Sequence, residues 1–130
     1  MARPKKCRLV NSPPGAYFYK PRGIPMSDLT EIHLTMDEME AIRLADAEGK
    51  AHTEAAPLMG ISRQTFGRIL ASAHRKVARA IAGGHAIHIE GGVYALNDRG
   101  RLRCGSCGYS WVLYPRTPLS RDCPKCGERF

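Results

Sequence analysis

A chain of 130 residues has room for one small domain with an appendage, or for two very small domains. Its 20 Lys/Arg against 12 Asp/Glu give a formal charge of +8, and the charge is segregated along the chain in a way that favours a polyanionic partner. No apolar stretch approaches membrane-spanning length and no charged, apolar, small-residue leader opens the sequence, so membrane and secreted classes are not expected and a cytoplasmic protein is.

Residues 1–25 hold six Lys/Arg, no Asp/Glu and five of the nine prolines. Proline lacks a backbone donor and resists regular structure. Residues 1–33 therefore read as an extended, Pro-rich basic arm. Tyr17-Phe18-Tyr19 argue against a wholly disordered tail, because disorder is poor in aromatics. They are expected to pack on the helices that follow, while Arg3, Lys5, Lys6 and Arg8 reach for phosphates or the minor groove. A mobile, solubilising leader would have the same composition. Cys7 reads as an unpaired thiol in this arm.

Residues 26–60 reverse the sign, with eight acidic residues and two basic. Thr35-Met36-Asp37-Glu38 is a capping box, and Leu34 with Met39 has the spacing of a hydrophobic staple. The acids of the first turn complement the helix dipole. The pattern predicts a helix over 36–48, stopped by Gly49. A short second helix runs from Thr53 or Glu54 to Met59, with Pro57 awkwardly placed and removing one backbone hydrogen bond. Gly60-Ile61-Ser62 reads as a turn, and Ser62 caps a third helix from Arg63 to Ala82 that ends at Gly83-Gly84. Its apolar stripe is Phe66, Ile69, Leu70, Ala73, Val77 and Ile81. The opposite face carries Arg63, Gln64, Gly67, Arg68, Ala71, Ser72 and Arg75, flanked by Lys76 and Arg79.

This is a helix–turn–helix whose second helix has a polar, positive outer face. In that motif the N-terminal half of the second helix enters the major groove of DNA. Arg and Gln suit guanine and adenine edges, and small residues allow close approach. The candidate DNA contacts are Ser62, Arg63, Gln64, Thr65, Gly67, Arg68, Ser72, Arg75, Lys76 and Arg79, joined by the arm residues. An ordinary three-helix bundle with a solvated basic face has the same pattern.

Leu34-Thr35, Glu40-Ala41-Ile42-Arg43-Leu44-Ala45-Asp46, Glu54-Ala55-Ala56, Met59-Gly60-Ile61-Ser62-Arg63, Thr65-Phe66-Gly67-Arg68-Ile69-Leu70 and Arg75-Lys76-Val77 resemble a family of short, functionally uncharacterised prokaryotic proteins. Arg3-Pro4-Lys5-Lys6-Cys7-Arg8 and Tyr19-Lys20-Pro21-Arg22-Gly23-Ile24-Pro25 are similar to its leader, and Ile89-Glu90-Gly91-Gly92 to its end. The resemblance implies DNA binding through a module similar to the fourth region of bacterial sigma factors. Pro57 departs from that pattern, where a better helix former is expected.

Residues 85–96 alternate loosely and read as a short strand or pair of strands. On a strand, His85 and His88 fall on opposite faces. They read as surface or packing residues, as do His33, His52 and His74. Cys104-Gly-Ser-Cys107 and Cys123-Pro-Lys-Cys126 then give two Cys-x-x-Cys loops, each followed by a glycine. Together they offer the four-thiolate tetrahedral shell of a structural zinc site. Two disulfides are the alternative, disfavoured in a reducing compartment. Tyr109, Trp111, Leu113 and Tyr114 supply little core, so metal would supply most of the folding energy there. The knuckles resemble the zinc-ribbon and rubredoxin-like class, which also admits a single iron. Arg99, Arg101, Arg103, Arg116 and Arg121 suit contact with DNA or with a protein such as RNA polymerase.

The expected fold is mainly α: a three-helix helix–turn–helix domain (34–92), an extended basic N-terminal arm (1–33) and a small C-terminal β zinc ribbon (93–130). The expected function is a transcriptional regulator on double-stranded DNA, with one zinc per chain and a homodimer as an open assembly. The competing readings are a zinc-ribbon module docking on the transcription machinery and an iron-bearing redox-responsive regulator. No phosphate-binding loop, nucleophile motif or open metal shell points to an enzyme.

Overall fold

The computed structural model describes residues 8–92, 94–98, 101–105 and 107–112. In chain order the strands and helices are β1 (Arg8–Val10), β2 (Phe18–Tyr19), β3 (Glu31–Leu34), α1 (Met36–Ile42), α2 (His52–Leu58), α3 (Arg63–Gly83), β4 (Ala86–Ile89), β5 (Tyr94–Asp98), β6 (Arg101–Cys104) and β7 (Ser110–Val112).

The expectation of a mainly α chain with a separate C-terminal β ribbon is overturned. Three helices are joined by two small mixed sheets, and both sheets draw strands from before and after the helices. One sheet has the order β2-β4-β3, with β3 and β4 parallel from Glu31 opposite Ala86 to Leu34 opposite Ile89. The other has the order β1-β5-β6-β7, with β1 parallel to β5 and the remaining pairs antiparallel. The cysteine-bearing strand β6 is thus tied through β5 to the N-terminal β1.

The described part of the N-terminal segment is accordingly no extended arm. Beyond its pairing, β1 is fastened to the helices. The Leu9 N–H donates to Met59 O at 2.9 Å, and the Asn11 side-chain amide donates to Leu58 O at 2.7 Å. The Asn11 backbone N–H donates to the buried Glu40 carboxylate. Two- to four-residue strands with partners more than fifty positions away leave almost no periodic trace, which is why composition alone suggested an arm. Tyr17, Phe18 and Tyr19 also depart from expectation. They are about half exposed, and Phe18 and Tyr19 form an edge strand on β4.

The starts of α1 and α3 follow the expected chemistry, whereas α2 starts at His52, ahead of the expected Thr53 or Glu54, behind Ala51 with no side-chain cap. The Thr35 hydroxyl accepts the Glu38 N–H, and the Glu38 carboxylate accepts the Thr35 N–H at 2.9 Å, completing the capping box. The first helix does not run evenly to 48. It passes at Arg43–Ala47 into a π turn in which the Glu48 N–H reaches back to Arg43 O. That turn widens the helix by one residue and leaves Leu44 buried. At the end of α2 the Ile61 N–H donates to Ala56 O and the Gly60 N–H to Pro57 O. With Gly60 at φ +68°, these bonds form a Schellman motif, and Ile61 packs on the same apolar cluster as Ala55 and Ala56.

Among the described residues, two clusters make the core. Ala41, Leu44, Ala55, Met59, Phe66, Ile69 and Leu70 join the three helices. Val10, Leu34, Met36, Ala73 and Ile89 join α1 and α3 to both sheets. Of the predicted α3 stripe, Ile81 is 77% exposed, and Ala80 turns inward in its place. The helix stops at Gly84, φ +67°, where the N–H groups of Gly84 and His85 both donate to Ala80 O.

Pro57 sits inside α2 with its ring exposed, so the N–H that would bond Thr53 O is missing. Pro57→Ala is expected to raise unfolding stability by about 1–3 kcal/mol, read from denaturant midpoints at constant m.

Candidate nucleic-acid interface and cysteine knuckle

The outer face of α3 follows from its register. With Phe66, Ile69, Leu70 and Ala73 buried, Arg63, Gln64, Arg68, Arg75 and Arg79 are turned to solvent. Among the described residues no ion pair or hydrogen bond engages any of these five side chains. Ser62 and Thr65 stand at the same end but serve the cap: the Ser62 hydroxyl accepts the Thr65 N–H at 3.1 Å, and the two hydroxyls lie 2.9 Å apart. Gly67 is partly buried, and a Cβ there would meet the His52 ring at an ordinary 3.8 Å. Among the described residues nothing demands glycine at this position.

Two predicted contacts face α1 instead of solvent. The Ser72 hydroxyl and the Lys76 ammonium each donate to the Glu38 carboxylate at 2.6 Å. Burial alone would raise the Glu38 pKa, but the bonds from Lys76, Ser72 and Thr35 outweigh it and hold the carboxyl below its ordinary 4.5. Arg8 is likewise taken up, bonded to the buried Asp37 carboxylate at 3.1 Å. Arg3, Lys5 and Lys6 lie outside the described residues. The pairing of Glu38 with Lys76 left no sequence signal, since the two are 38 positions apart. The buried Glu40 was also missed. Its carboxylate takes Nε and an NH₂ group of Arg43 as well as the Asn11 N–H, and the Glu40 bond in turn raises the Arg43 pKa.

Cys104 is buried at the end of β6 and Cys107 is exposed in the turn after it. The Gly108 N–H donates to Cys104 O, the Cys104 N–H to Tyr109 O, and Gly108 holds φ +77°. A Cβ at Gly105 would lie 2.8 Å from the Tyr94 carbonyl oxygen, so this turn accepts only glycine there. The two thiols of this tight loop are of the chemistry that zinc takes. Cys123 and Cys126, like Cys7, lie outside the described residues.

A family of proteins of unknown function, DUF134, matches residues 1–97. The chain belongs to that family. The match ends inside β5, ahead of the cysteine knuckle. Among its relatives, a UPF0251 protein from Pelotomaculum thermopropionicum is 52% identical over 130 residues, covering 98% of this chain and 95% of the relative. One from Desulforudis audaxviator is 46% identical, over 99% of this chain and 84% of the relative. A third, from a Thermoanaerobacter species, is 53% identical over 98 residues, covering 75% of this chain and 87% of the relative. No solved structure matches the chain. No helix among the described residues is long and apolar enough to cross a membrane.

Proposed function

We propose that the protein is a sequence-specific DNA-binding regulator of transcription and not an enzyme. In this reading α2 and α3 are a helix–turn–helix of the sigma-region-four kind, with the N-terminal half of α3 in the major groove. The observation that carries the reading is the set of five exposed polar and cationic side chains on α3, unengaged among the described residues. They stand on a helix that a Schellman turn and a serine cap set at a fixed register behind α2. Arg63, Gln64 and Arg68 are the base readers, and Arg75 and Arg79 serve phosphates. Lys76 is neutralised by Glu38 in the protein alone. RNA polymerase or another transcription protein is the partner class that fits such a regulator, and a homodimer would supply two half-sites.

Selection of bound sequences from random duplex DNA, followed by genome-wide mapping of occupied sites, tests the proposal. The expected result is a single enriched motif shared by both. Absence of enrichment in both would overturn it. Gly67→Ala gives a second readout. With room for the methyl inside the protein, it is expected to raise stability by about 0.5–1 kcal/mol. It is expected to change binding to the selected site little, because the added methyl points at the His52 ring and not at the base edges. Thermal unfolding and gel-shift titration of the same sample check both halves.

We further propose that Cys104, Cys107, Cys123 and Cys126 hold one zinc per chain, which supplies local folding energy and no reaction. Elemental analysis of protein purified without added metal is expected to give one zinc and no stoichiometric iron. Cys107→Ser is expected to lose that zinc. The helix signal in circular dichroism is expected to persist, because the cluster joining the three helices takes no residue from β5, β6 or β7.

A further inference from the structure

His33 of β3 and His88 of β4 are direct partners in a parallel pair. Residues two apart on a strand share a face. Glu31 therefore stands beside His33, and Glu90, just past β4, beside His88. One ligand atom from each of Glu31, His33 and His88 lies within 4.8 Å of the others. His88 Nδ1 is 2.9 Å from Glu31 Oε1, and its Nε2 is 3.3 Å from Glu90 Oε2. His33 Nδ1 is 3.5 Å from the other Glu90 oxygen. The His88 ring is held by stacking on Phe18, with centroids 4.1 Å apart and planes 15° from parallel, and its side chain is 18% exposed.

We propose that Glu31, His33 and His88 form a binding site for one divalent transition-metal ion, separate from the cysteine knuckle. Ligands at about 2.0–2.2 Å from an ion stand at most about 4.4 Å from one another, so the present spacing closes by small side-chain adjustments. Two imidazoles and a carboxylate suit zinc, nickel or cobalt. Magnesium and calcium take oxygen shells, and copper(I) takes thiolates. Glu31 Oε1 and His88 Nδ1 face the ion directly. Glu90 faces the other nitrogen of His88 and Nδ1 of His33, so it is a positioning residue that fixes both tautomers and leaves His33 Nε2 for the metal. The site clamps the chain where it enters and leaves the helical unit, because β3 runs into the Thr35 cap and β4 follows the Gly84 stop. A bound ion therefore stabilises the folded protein by mass action.

Nickel titration of the full chain, with its cysteine-bound metal retained, is the test. Calorimetry is expected to give one added equivalent. Ring resonances of His33 and His88 are expected to broaden first and those of His74 to remain, and the melting temperature is expected to rise with nickel. His33→Ala is a safe probe because that side chain is 56% exposed. It is expected to remove the added equivalent, while His74→Ala keeps it. Glu90→Gln is expected to weaken nickel about 10–100-fold. No added equivalent in the parent chain would overturn the proposal. So would an equivalent that survives both His33→Ala and His88→Gln. In either case the cluster would be a His88 ring held between two carboxylates and nothing more.

Discussion

Replacing Arg63, Gln64 and Arg68 together by alanine is expected to lower affinity for the selected DNA site at least about 100-fold, and to lower binding to random DNA far less. Each bidentate base contact is worth about 1–3 kcal/mol of discrimination, and about 1.4 kcal/mol is a factor of ten. The three side chains are exposed and touch no partner among the described residues, so their loss opens no cavity and unpairs no buried charge. Alanine is also the better helix former, so α3 is expected to hold or gain helix content. Arg79→Ala is the contrasting control. It is expected to weaken all sequences alike and to reduce the salt slope by about one unit, because a phosphate contact releases counterions without reading bases. Titrations at several salt concentrations on selected and scrambled duplexes separate the two behaviours. A triple variant that still prefers the selected site would sink the assignment of α3 as reader.

The parts of this fold that were legible in the sequence are those set by neighbours along the chain. Thr35 and Glu38 announced the start of α1, Ser62 the start of α3, and Gly60 and Gly84 the two stops, because each satisfies backbone groups within one turn. The buried Phe66, Ile69, Leu70 and Ala73 followed from a 3.6-residue period long enough to read. What stayed hidden depends on distant partners. Arg8–Val10 has no pattern of its own, and its pairing with Tyr94–Leu96 bridges the whole helical unit. The π turn at Arg43–Ala47 looks like ordinary helix in composition. On the outer face of α3 the residue types were legible, but not the single acid, Glu38 of α1, that answers both Ser72 and Lys76. His33 and His88 read singly as surface residues, and only the parallel register places them together.

Glu38→Gln is expected to lower stability at neutral pH and to raise DNA affinity. The Glu38 carboxylate is 5% exposed and collects bonds from Thr35, Ser72 and Lys76. Its folded pKa lies below the ordinary value of 4.5, so its contribution is fully present above that pH and is lost as pH falls through the folded value. The parent is therefore expected to lose stability on acidification below about pH 4.5. Glutamine keeps an acceptor for the Thr35 N–H, as the capping box allows. It removes the charge that Lys76 answers. The variant is expected to be about 1–3 kcal/mol less stable at neutral pH, since a mostly buried pair is broken while Lys76, 31% exposed, can rehydrate. Its stability is expected to be flatter on acidification. The ammonium released from Glu38 then lies beside Ser72 and Arg75 on α3. Affinity for DNA of any sequence is expected to rise, and the salt slope to steepen by about one unit. Urea unfolding across the acid range and DNA titrations at several salt concentrations read the two effects independently. An unchanged salt slope would mean that Lys76 does not reach phosphate even when unpaired, and that the Glu38 carboxylate serves the packing of α1 on α3 alone.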